Sequence, residues 1–117
     1  MNCTHEDLES GVRILRLSGR MDIEGSAEIS LRFTIAATTG GNSVVVDLSG
    51  VEFLASVGVG TLVSAAKSIH VRKGRIVLCG AGAEVQRTLD RTNIPTIIPC
   101  FGTLAEATAA LAGASAG

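Results

Sequence analysis

From residue 12 the chain alternates apolar and charged positions. Val12 and Ile14 flank Arg13, and Leu15 and Leu17 flank Arg16, which predicts a strand over 12–18 with one slip of phase at Ile14-Leu15. Ahead of it, residues 3–8 can pair back through a Glu9-Ser10-Gly11 turn, predicting an opening hairpin. Residues 23–38 place Ala27, Leu31 and Ile35 four apart, with Glu28 and Arg32 beside them; this predicts a helix packed by that face and stopped by Gly40-Gly41-Asn42. Val44-Val45-Val46 without polar interruption predicts a strand over 43–48 covered on both faces. Helical spacing returns over 57–71 through Leu62, Ala66 and Ile69, with Lys67, Arg72 and Lys73 at the carboxyl end and Gly74 as the stop. There follow a strand over 75–79, a helix over 83–91 with Val85 and Leu89 inward, a strand over 96–100 and a closing helix over 104–111. Pro95 and Pro99 bracket that last strand and favour a sheet edge, because proline cannot donate to a ladder. Strands and helices alternating through short connections imply parallel strands and right-handed crossovers, an α/β fold with about four helices. One domain over 1–112 is expected, followed by an Ala/Gly/Ser tail over 113–117 expected to fray.

Composition narrows the function. The 117 residues carry 10 basic and 11 acidic side chains, a balance unsuited to neutralising phosphate backbones. With no Trp or Tyr and only Phe33, Phe53 and Phe101, there are few platforms for stacking bases, so no direct nucleic-acid partner is expected. Cys3, Cys79 and Cys100 include no Cys-x-x-Cys pair and read as reduced, apolar fillers in a cytoplasmic protein. The first ten residues are acidic and polar, unlike a secretory signal, and the most apolar stretch, 53–66, is too short and too diluted by Ser, Gly and Thr to insert in a membrane.

Chemistry-bearing motifs are sparse. Gly80-Ala81-Gly82 and Gly58-Val59-Gly60 lack the third glycine of a dinucleotide fingerprint, having Val85 and Val63 there, and read first as tight turns and close packing. His5 and His70 belong to no ligand cluster, so no metal or other cofactor is expected. The chain has no Gly-x-Ser-x-Gly elbow and little room for a pocket, which argues against an enzyme. The basic group Lys67, Arg72, Lys73 and Arg75, near His70, reads as a solvated helix end before an anion site. One segment stands apart, residues 47–60. Its strand leaves the sheet at Asp47-Leu48, Phe53-Leu54 pin a loop, and Ser56 stands where a helix begins. A serine there is a favoured N-cap, and equally a hydroxyl where added phosphate is tolerated by free amides and the helix dipole; both roles stay open. Gly58 and Gly60 would let another protein come close.

Residues 47–58, Asp-Leu-Ser-Gly-Val-Glu-Phe-Leu-Ala-Ser-Val-Gly, followed by a helix bearing Lys67, resemble the signature of STAS domains in bacterial anti-sigma factor antagonists. Gly19-Arg20-Met21-Asp22 is similar to the family's Gly-x-x-Asp loop before the first helix, and the likeness runs in the same element order over nearly the whole chain. The resemblance implies partner switching. An unphosphorylated antagonist binds an anti-sigma factor, usually a serine kinase; phosphorylation breaks the complex and a phosphatase restores it. It places Ser56 at the phosphoacceptor position, Asp22 at the loop acid beside it, and Met21, Ala55, Val57, Gly58, Val59 and Gly60 at the contact surface with the partner. Ala55 stands where the family commonly has Asp and Val57 where it has Ser or Thr, departures that bear on kinase recognition. The alternatives are a STAS scaffold or transporter-accessory component without phosphorylation, and a small nucleotide- or ligand-binding protein using the Gly80 to Gly82 turn.

Overall fold

The computed structural model describes residues 1–39 and 43–116, the side chains of 113–116 excepted, so the Gly40-Gly41-Asn42 stop lies outside the described residues. The elements are β1 (Asn2–Asp7), β2 (Val12–Met21), α1 (Ile23–Thr39), β3 (Ser43–Leu54), α2 (Ser56–Val71), β4 (Arg75–Cys79), α3 (Ala83–Arg91), a 3-10 turn (Ile94–Thr96), β5 (Cys100–Phe101) and α4 (Leu104–Ala116). The strands form one sheet in the order β1-β2-β3-β4-β5; β1 runs antiparallel to β2 and the remaining pairs are parallel. The opening hairpin turns where Gly11 takes φ +91, and Arg13 grips Asp7 across it with two bonds of 2.6 and 2.9 Å.

The phase slip at Ile14-Leu15 has a plain cause: the sheet is covered on both faces, so neighbours on a strand are both buried. Leu15, Leu17, Val44, Val46, Ile76 and Leu78 share one cluster with residues of α1, α2 and α3. Val12, Ile14, Val45, Val77 and Cys79 point the other way and meet Ala107 and Leu111 of α4. Strand order that follows chain order, with crossovers of one hand, brings three successive helices to one face. The fourth then caps the other.

Four expectations need correction. Helix α1 turns the other face inward: Ile29, Phe33 and Ala37 are buried, while Leu31 and Ile35 are 73% and 49% exposed and Ala27 is exposed. Both sets recur every four residues, and the larger gain comes from Phe33, whose full burial contributes on the order of 2–3 kcal/mol. The strand expected over 96–100 is only Cys100–Phe101, because residues 94–96 wind into the 3-10 turn that carries Pro95. Its place at the sheet edge is as expected. The stop of α2 falls before Gly74: Val71 is the last helical residue and Lys73 takes the left-handed conformation (φ +61), while the Gly74 amide closes the turn on the carbonyl of Ile69.

The fourth correction shapes the site. The strand expected to leave the sheet at Asp47-Leu48 continues to Leu54. Beyond Asp47, where β4 stops at Cys79, β3 keeps only β2 as a partner, Ser18 to Met21 against Gly50 to Leu54, with register shifts between Arg16 and Ser18 and between Gly19 and Arg20. A two-stranded ribbon thus projects past the rest of the sheet, bulged and twisted. Helices α1 and α2 both start from its tip.

Candidate functional site

The ribbon tip holds two turns together. Met21 pairs with Leu54, and the amide of Ala55 donates to the carbonyl of Met21 at 3.0 Å, so the turn at Asp22 and the turn at Ala55-Ser56 form one unit. Both strand ends are buried through Met21 and Leu54.

Asp22 caps α1. Its Oδ1 accepts from the amide of Gly25 at 2.8 Å, and its carbonyl accepts from the amide of Ser26 at 2.9 Å. The Gly25 amide, with the Arg20 guanidinium 3.6 Å from the other oxygen, holds the carboxyl below the usual carboxylate range. A depressed acid stabilises the fold above its unfolded pKa, and that contribution disappears as the pH falls through its folded value. Asparagine caps as well as aspartate, whereas alanine cannot accept a bond. Asp22→Asn is therefore expected to melt at the wild-type temperature at neutral pH and to lose less stability on acidification, while Asp22→Ala melts lower throughout. A thermal melt series from pH 7 to about pH 3 checks this; equal melting of the two variants would separate Asp22 from the cap.

Glycines let the helices start this close. A β-carbon on Gly25 would collide with the carbonyl of Arg20, and one on Gly58 would lie 2.7 Å from Met21 Cγ and 2.8 Å from Leu54 Cδ1. Gly58 is therefore an inward packing glycine, and a partner cannot approach it. Met21 and Val59 are likewise buried, so these three position the surface from beneath. Gly60 is exposed, with nothing within 4 Å of its missing β-carbon.

Ser56 is exposed and is the first residue of α2; the N-cap is Ala55, extended at φ −91, ψ 167 and unable to offer a side-chain bond. The structure thus corrects the reading of Ser56 as a capping serine, and its hydroxyl is not committed to a cap. Without a capping acceptor, the first turn of α2 keeps amide donors and a positive dipole end open beside that hydroxyl. Exposed apolar side chains stand at the same tip: Val57 is 43% exposed, Phe53 37% and Ile23 75%. Phe53, expected to pin a loop, lies on the surface with the Arg20 guanidinium 4.6 Å from its ring centre. Ile23, Phe53 and Arg20 were not among the residues expected here, although Gly25, three after Asp22, matches the spacing of an N-cap and its bonded amide.

The remaining glycine and basic residues belong to other turns and helix ends. Gly80 takes φ +72, with its β-carbon position 3.0 Å from Asp47 Oδ1, and Gly82 is the N-cap of α3. Lys67, His70, Arg72, Lys73 and Arg75 are exposed around the far end of α2. Among the described residues, no three His, Cys, Asp or Glu stand together as metal ligands, and no helix is long and apolar enough to cross a membrane. The three cysteines are free; burial, with Asp47 adding to it, pushes the Cys79 thiol up to about 11.

Comparison with known proteins gives a consistent picture. The family model described as STAS domain matches residues 7–107. An anti-sigma F factor antagonist of Paenibacillus polymyxa is 28% identical over 92 residues, which span 78% of this chain and 79% of the relative. An anti-sigma factor antagonist from Mycobacterium paratuberculosis superposes with a TM-score of 0.85 at 25% identity, covering 94% of this chain and 92% of the other. The anti-sigma factor antagonist SpoIIAA in its unphosphorylated form superposes with a TM-score of 0.78 at 18% identity, covering 96% and 97%.

Proposed function

The chain belongs to the STAS domain family, and from that premise we propose that it is an anti-sigma factor antagonist that works by partner switching at Ser56. With Ser56 unmodified, the surface formed by Asp22, Ala55, Ser56, Val57 and Gly60, extended by Ile23 and Phe53, covers itself with an anti-sigma factor. A serine kinase, usually the anti-sigma factor itself, transfers phosphate to Ser56 and ends the contact, and a phosphatase restores it.

One observation supports this above the rest: an exposed hydroxyl without a capping duty stands at the open amino end of α2, at a tip that also exposes Ile23, Phe53 and Val57. The free amides and the dipole tolerate a phosphate on the folded domain. A contact made through those apolar side chains does not tolerate it, because a charge of about −1.5 to −2 must then lose its water. Ala55 and Val57 bear on how a kinase recognises the loop; they leave the acceptor oxygen in place.

Incubating the protein with ATP and each anti-sigma serine kinase encoded in the same genome, then mapping the product by mass spectrometry, tests the assignment. The expected result is one phosphoryl group on Ser56, absent from Ser56→Ala. Modification at Ser64 or Ser68 instead would refute it, and kinase binding with no modification would favour the scaffold reading.

A further inference from the structure

The same end of the molecule carries a second feature that the phosphorylation switch does not use. A cavity of about 190 Å³ opens between the end of β3 and α3, lined by Phe53, Leu54, Glu84, Arg87, Thr88 and Arg91. It is smaller than the roughly 300 Å³ at which pockets for small molecules begin, a size suited to a side chain rather than a cofactor. Its wall is apolar where Phe53 and Leu54 meet it and cationic along α3. Arg87 and Arg91 are one turn apart on that helix, and among the described residues neither forms an ion pair. Arg91 reaches only Thr88 Oγ1, at 3.4 Å. Among the described residues Glu84 is the one carboxylate lining the cavity, so two guanidinium groups face a single acid. A third, that of Arg20, stacks on the Phe53 ring but is already beside Asp22.

The occupant that matches this lining is a short side chain with an apolar stem and an anionic end. Phe53 and Leu54, which line the cavity, end β3 two residues before α2 begins at Ser56, so the cavity and the hydroxyl belong to the same end of the molecule. We propose that the cavity receives an acidic side chain of the protein that covers Ser56, its methylenes against Phe53 and Leu54 and its carboxylate between Arg87 and Arg91. This rests on the reading of the Ser56 surface as a contact and adds a division of labour. The apolar contact at Ser56 and Val57 responds to phosphate; the charged contact at α3 selects the partner and sets its register. Charge pairing of this kind acts chiefly on association rate and on discrimination among partners.

Binding kinetics of the purified anti-sigma serine kinase that recognises the wild type would test this against three variants: Arg87→Glu/Arg91→Glu, Arg87→Lys/Arg91→Lys and Ser56→Asp. At about 0.1 M salt, charge reversal should weaken binding at least about tenfold, mainly by slower association, and the deficit should shrink at about 0.5 M, where charges are screened. The lysine pair should bind within a few-fold of wild type and melt with it, whereas the reversed pair, with an acid in the last turn of α3, should melt a few degrees lower and stay folded at the assay temperature. Wild-type affinity for the reversed pair, with Ser56→Asp still failing to bind, would overturn the cavity assignment and leave the switch standing. Weak binding by the reversed pair with normal binding by Ser56→Asp would overturn the switch and leave the cavity as a contact.

Discussion

Ser56→Asp is expected to fold as the wild type does and to lose its anti-sigma factor. An acid in the first turn of a helix interacts favourably with the dipole and the open amides, so the melting temperature should stay the same or rise slightly. The contact fares differently. Val57 beside Ser56 in the chain, and Ile23 and Phe53 near the ends of the two strands, are exposed apolar side chains, and a partner resting on them takes the carboxylate's water away. Burying such a charge costs several kcal/mol, and a net penalty of about 3 kcal/mol after the contribution of the amides lowers affinity more than about a hundredfold. Calorimetric titration with the partner, beside a thermal melt of the variant, measures both halves. Undiminished binding would show that the hydroxyl is not covered in the complex.

The second large effect concerns the scaffold. Gly25→Ala should lower stability by about 3 kcal/mol, the upper part of the range for overpacked sites, because its β-carbon meets the backbone carbonyl of Arg20, which no rotamer change can move aside. For a domain of this size that corresponds to a melting temperature lower by roughly 10 °C or more. Gly60→Ala is the control. It is exposed on α2 with open space around the added methyl, so helix propensity alone predicts a gain of up to about 1 kcal/mol. A melt in which both variants behave alike would contradict the close approach of α1 to the ribbon.

Much of the architecture can be read from local pattern. The hairpin, the buried valine strand and the inward Val85 and Leu89 follow from period and turn chemistry, and all are present. What period could not decide was a choice between equals. Helix α1 has Ala27, Leu31 and Ile35 on one face and Ile29, Phe33 and Ala37 on another, and only the sheet beneath selects the second. Likewise β3 reads as ending at Leu48 because Ser49 and Gly50 are turn-like; pairing with β2, a non-local contact, carries it on to Leu54.

At the site, the motif drew attention to Ser56 and Asp22, and both stand on the described surface or at its rim. Roles within the motif depended on packing. Ser56 sits one residue past the cap, Gly58 and Val59 face inward, and Ile23 and Phe53 face outward. A shift of a single residue at the start of a helix turns its side chains by about 100° and changes which of them meet solvent, and helix ends vary by a residue or two with local capping.

The proposed switch separates two binding states by one phosphate on one oxygen. Its most direct measurement is the dissociation constant of the anti-sigma factor for the unmodified protein and for the same protein stoichiometrically phosphorylated on Ser56. Tight binding to the first and binding at least about a hundredfold weaker to the second is the predicted result. Equal constants for the two forms would contradict it.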